Sequence, residues 1–132
     1  MNKDGRKLLI VADDPGFLSE VELCFGDYDV VRVEKLNSAI DELRRHEPAV
    51  VLQDLSLPPH TEDSAEGLAT LQELLKLSPY IKVIVVTGDG DHENALKSVA
   101  LGAYDFCQNP VDIDTLQLLV KRAFDMSRLE GE

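Results

Sequence analysis

Short apolar runs rich in branched side chains recur along the chain at residues 7–11, 28–33, 49–52, 82–86 and 104–107, each of strand length. Between them the apolar spacing changes to three and four. Phe17, Leu18, Val21, Cys24 and Phe25 form the first such set, Ile40 and Leu43 the second, within 38–46. Leu68, Leu71, Leu74 and Leu75 form the third, and Ala95, Leu96 and Val99 the fourth. Leu116, Leu119, Val120, Ala123 and Phe124 form the fifth, within 113–129. This spacing predicts five amphipathic helices. The punctuation agrees. Asp14-Pro15 reads as an N-cap followed by proline in the first turn, Gly102 as a helix stop, and Pro48 and Pro79 as the ends of the second and third helices. Strict strand–helix alternation with apolar strands predicts a doubly wound α/β domain, a five-stranded parallel sheet with helices on both faces. In such a sheet ligands bind beyond the carboxyl ends of the strands, where the winding reverses.

Length and composition narrow the picture. With 132 residues there is room for one domain, and no apolar run approaches the roughly 20 residues of a membrane span. Asp and Glu total 25 against 13 Lys and Arg, a formal charge of −12, so this piece is expected not to bind nucleic acid itself. Acidity suits hard divalent cations and basic protein partners, and equally a solvated acidic surface. Cys24 and Cys107 have no paired-spacing motif, and the first residues lack a signal peptide's apolar core; a reducing, cytoplasmic location is expected.

The strand ends carry the chemistry. The first run leads into Ala12-Asp13-Asp14-Pro15, the third into Gln53-Asp54-Leu55-Ser56-Leu57-Pro58, the fourth into Thr87-Gly88-Asp89-Gly90, and the fifth into Gln108-Asn109-Pro110. Singly, each has an ordinary reading as a helix cap or turn residue. Together, Asp13 and Asp54 on adjacent strands can share a hard cation through oxygen ligands, with Mg²⁺ the natural candidate.

Through LLIVADDP, VLQDLSLPP, VIVVTG and GAYDFCQNP the chain resembles the receiver domain of bacterial two-component response regulators, over about Lys7 to Phe124. The resemblance implies a flavodoxin-like fold with strand order 2-1-3-4-5. It also implies that Asp54 accepts a phosphoryl group from a sensor histidine kinase, with Mg²⁺ held by Asp13, Asp54 and the backbone carbonyl of Ser56. Asp14 is a further candidate ligand. Thr87 matches the hydroxyl that binds a phosphoryl oxygen, and Phe106 the aromatic switch that turns inward as the threonine moves. Such a domain acts on itself and is not a turnover enzyme.

Two departures stand out. The first of the two adjacent acids usual after strand one is Ala12 here, and the lysine usual before the last proline is Asn109. Asp13 and a phosphorylated Asp54 carry about −3, and Mg²⁺ returns +2, so without that lysine the site is under-neutralised. The alternative left open is a degenerate receiver that keeps the fold and acts by protein contacts alone. A flavin domain would need a Gly-, Ser- or Thr-rich phosphate cradle after strand one, where Ala-Asp-Asp-Pro stands.

The polar segment 58–67 is several residues longer than the usual receiver link and is expected to rim Asp54. Its double proline, with HENALKSVALGAYDF, looks most like receivers of sigma-54-dependent transcriptional activators, which carry AAA+ and DNA-binding output domains. That resemblance divides the chain into a tail (1–6), a receiver domain (7–125) and the start of a linker (126–132). It also implies a homodimer as one mode of action.

Overall fold

The computed structural model describes residues 6–55, 65–88, 91–108 and 111–131. Five strands and five helices alternate strictly: β1 (Lys7–Val11), α1 (Pro15–Cys24), β2 (Asp29–Val33), α2 (Leu36–His46), β3 (Val50–Asp54), α3 (Ala65–Leu77), β4 (Lys82–Thr87), α4 (His92–Leu101), β5 (Asp105–Gln108) and α5 (Ile113–Gly131). All strand pairs are parallel, in the order β2-β1-β3-β4-β5. The winding reverses between β1 and β3, which places the ligand crevice at the carboxyl ends of those two strands.

Alternate strand residues feed two apolar layers. Leu8, Ile10, Leu52, Ile84 and Val86 pack with Leu18, Val21 and Phe25 of the α1 region and Leu116, Val120 and Ala123 of α5. Leu9, Val11, Val51, Val83 and Val85 pack with Ala39 and Leu43 of α2 and Leu71 and Leu74 of α3. Truncating a fully buried position such as Ile84 to Ala costs about 2–5 kcal/mol.

Several elements differ from the sequence expectation at their edges, each for a local reason. β3 runs through Gln53 and Asp54 instead of stopping at Leu52, because the pairing with β4 continues to Asp54↔Val86. Helix α2 starts at Leu36, two residues early, with Lys35 as an N-cap that supplies no side-chain bond. It ends on Glu47, whose left-handed backbone (φ 49°) lets its amide donate to Leu43 O, so the stop precedes Pro48. Gly67, expected in the loop, lies in the first turn of α3. Helix α4 turns differently from expectation. It buries Ala95 and Ser98, whose hydroxyl donates back to Ala95 O at 2.7 Å, and leaves Leu96, Val99 and Leu101 exposed. Period alone could not separate these faces, because a small polar residue replaces a large apolar one on the inner stripe.

Candidate functional site

Asp54 is the last residue of the central strand β3 and is 8% exposed, between the fully buried Gln53 and the buried Leu55. Val11 pairs with Gln53, so the chain leaving β1 passes beside Asp54. Ala12 there is fully buried and donates its amide to Val33 O at 3.0 Å, stitching β1 to β2. Where the receiver resemblance implies an acid, the chain has a residue that belongs to the core. Asp13 follows, exposed to solvent. Asp14 caps α1, its Oδ2 accepting the Phe17 amide at 2.9 Å. That bond occupies the carboxylate with one of the orphan amides of the first turn.

Thr87 ends β4 and is 1% exposed; its hydroxyl donates to the Cys107 carbonyl at 3.4 Å. That is long for a hydroxyl donor, whose usual range is about 2.5–3.0 Å, so the bond restrains the rotamer weakly. Phe106 pairs with Val85, and Thr87 with Gln108. The period of two therefore puts Thr87 and Phe106 on the same face of the sheet, diagonal to one another. Phe106 is half-buried against the layer under α2 and α3. The Cys107 thiol is pushed up to about 11 by burial first, and then by the charges of Asp105 and Asp112.

Ser56, Asn109 and the remainder of the expected rim, 58–64, lie outside the described residues. Among the described residues no three His, Cys, Asp or Glu side chains gather into a metal cage. Mg²⁺ does not require one: it keeps several waters and takes one or two carboxylates, and two hard oxygen donors at neighbouring strand ends fit that habit.

Gln53 and Gln108 were not singled out by sequence reasoning. The Gln53 side-chain nitrogen donates to Gly67 O at 2.8 Å, whereas its Oε1 and the Gln108 Nε2 are buried with no hydrogen-bond partner among the described residues. A polar residue at the apolar parity of a central strand was the available signal, hidden because β3 was expected to end at Leu52.

The fold and this edge of the sheet define a class, and comparison with known proteins agrees. Residues 8–121 match the response regulator receiver domain, and the chain belongs to that family. It is 30% identical over 122 residues to the transcriptional regulatory protein GlrR of Escherichia coli K12, covering 91% of this chain and 26% of GlrR. The receiver domain of NtrX from Brucella abortus superimposes with a TM-score of 0.80 at 29% identity, over 89% of this chain and 98% of that one. The beryllofluoride-activated NtrC4 receiver domain dimer gives a TM-score of 0.81 at 25% identity, over 92% and 98%. The chain spans about a quarter of the length of the curated relatives it matches. It is a receiver domain of a two-component response regulator. Among the described residues no helix is long and apolar enough to cross a membrane.

Proposed function

We propose that Asp54 is the phosphoacceptor for a sensor histidine kinase. The observation that carries this reading is a nearly buried carboxylate at the carboxyl end of the central strand, at the winding reversal, next to the chain segment that bears Asp13. A carboxylate oxygen of Asp54 attacks phosphorus in line; an oxygen–phosphorus bond forms, the phosphorus–nitrogen bond breaks, and the electron pair leaves on the kinase imidazole, which takes up a proton. Asp13, Asp54 and the Ser56 carbonyl would hold Mg²⁺, with Asp14 kept on its helix cap. When bound, the ion offsets the charge of the nucleophile and of the phosphoryl oxygens.

Thr87 then leaves its long bond to Cys107 O for a phosphoryl oxygen, and the space on its face of the sheet admits the Phe106 ring. The modification thus becomes a packing change at α4 and β5. Leu96, Val99 and Leu101, apolar and exposed on α4, supply the surface that a second copy or an output domain would cover. The kinship with transcriptional regulators, the NtrC4 dimer and the short span relative to GlrR support a receiver (7–125) joined through 126–132 to AAA+ and DNA-binding domains. Such a receiver controls transcription and turns over no external substrate.

The test is intact-mass measurement after incubation with Mg²⁺ and acetyl phosphate. One phosphoryl group on the wild type and none on Asp54→Asn is expected. A second reading, a receiver fold acting by contacts alone, draws on the buried Ala12 and on Asn109; an unlabelled wild type that still binds its partners would select it.

A further inference from the structure

Across the sheet, Val11, Gln53, Val85 and Phe106 stand in one register row. Three of the four are apolar, and Gln53 is fully buried. Its amide orientation is decided by its partner. Nε2 points at Gly67 O, where a flipped group would set two acceptors against each other, and Oε1 meets no donor among the described residues. Burying an unpaired amide oxygen is costly, and an apolar side chain of similar length would avoid that cost. Gly67 O does not depend on Gln53 for satisfaction either, since a first-turn carbonyl receives the amide four residues on within α3. The bond therefore does something other than balance polar groups.

It ties α3 to the strand carrying Asp54. The second tie is steric: a Cβ on Gly67 would come within 3.0 Å of Leu55 Cδ2 and 3.2 Å of Leu55 O. Gly67 thus touches the residues on both sides of Asp54, by hydrogen bond before it and by close backbone approach after it. We infer that Gln53 is a positioning residue for phosphoryl transfer, holding the Gln53-Asp54-Leu55 backbone in fixed register with the first turn of α3. This rests on Asp54 being the phosphoacceptor. Attack on phosphorus requires in-line alignment, and small misplacements of a reacting group cost large factors in rate.

The experiment measures initial labelling rates against acetyl phosphate concentration at saturating Mg²⁺ for wild type, Gln53→Met and Gln53→Leu, with urea unfolding of each. Both variants are expected to unfold at or above the wild-type midpoint and to label once. Their maximal rates should fall roughly tenfold with the half-saturating donor concentration unchanged, the signature of an interaction realised in the transition state. Wild-type maximal rates in the variants, a loss confined to half-saturation, or failure of both variants to fold overturns the inference while leaving Asp54 as acceptor. A wild type that takes no label at Asp54 overturns both.

Discussion

Asp14 Oδ2 lies 2.9 Å from the Phe17 amide and serves as the N-cap acceptor of α1, while the adjacent Asp13 stands exposed at the crevice. With Asp13 as the proposed Mg²⁺ ligand, the two neighbouring acids have separable duties. Asp14→Ala removes a cap and should lower stability by about 1 kcal/mol, with labelling of Asp54 retained. Asp13→Ala should leave the unfolding midpoint within about 0.5 kcal/mol and abolish Mg²⁺-dependent labelling. Urea titration and intact mass on the two variants check both halves. Loss of labelling in Asp14→Ala, with Asp13→Ala unaffected, would reverse the assignment.

A methyl group on Gly67 would be tightly crowded, standing 3.0 Å from Leu55 Cδ2, 3.2 Å from Leu55 O and 3.3 Å from Leu55 Cα. Gly67→Ala must push α3 away from β3 by a few tenths of an ångström. The expected cost is about 1–3 kcal/mol despite the better helix propensity of Ala. Thermal unfolding measures it, and a stabilised Gly67→Ala would show that the approach of α3 to Leu55 is not tight.

Much of this architecture was legible from period and punctuation. The continuous apolar strands, the Asp14-Pro15 start and the Gly102 stop (φ 120°) required only local chemistry; all five strands form, and the α1 start and the α4 stop lie at their expected residues. The candidate site was legible as a set of strand ends: Asp54 and Thr87 end the parallel strands β3 and β4, and Asp13 follows β1 at the same edge of the sheet. Gln53 was not legible, since a glutamine inside a central strand violates the apolar pattern used to bound that strand. The α4 face was also hidden. Ser98 satisfies its own hydroxyl by bonding back to Ala95 O, and so sits inward where a larger apolar residue was expected.

Burial raises the Cys107 pKa to about 11, whereas Cys24 is half-buried on α1. At pH 8 iodoacetamide should add once to the folded protein, at Cys24, and twice in urea; peptide mass mapping identifies the site. The raised value also sets a sign for stability. Below the ordinary thiol pKa near 9 both folded and unfolded chains hold the proton. Between about 9 and 11 the unfolded chain loses it first, so stability falls as pH rises through that window. Cys107→Val should show a shallower decline in urea midpoint over the same range, and parallel declines would argue that Cys107 contributes nothing to it.

The receiver resemblance implies a lysine at position 109, beside the proposed phosphoryl group, and the sequence has Asn109. An amide donates hydrogen bonds without charge, so a phosphorylated Asp54 with Asp13 and Mg²⁺ retains about −1. In a nearly buried site a unit of net charge weighs more than it would in water, and the formal −12 of the whole chain adds to the repulsion of an anionic donor. Asn109→Lys is therefore expected to raise the initial rate of labelling by acetyl phosphate several-fold. Added salt should narrow the gap between wild type and variant, because screening weakens the long-range part of the repulsion. If the variant labels at the wild-type rate at low and high salt alike, charge at this position does not limit the reaction. The slow step would then lie in access to Asp54 or in the alignment that α3 imposes on it.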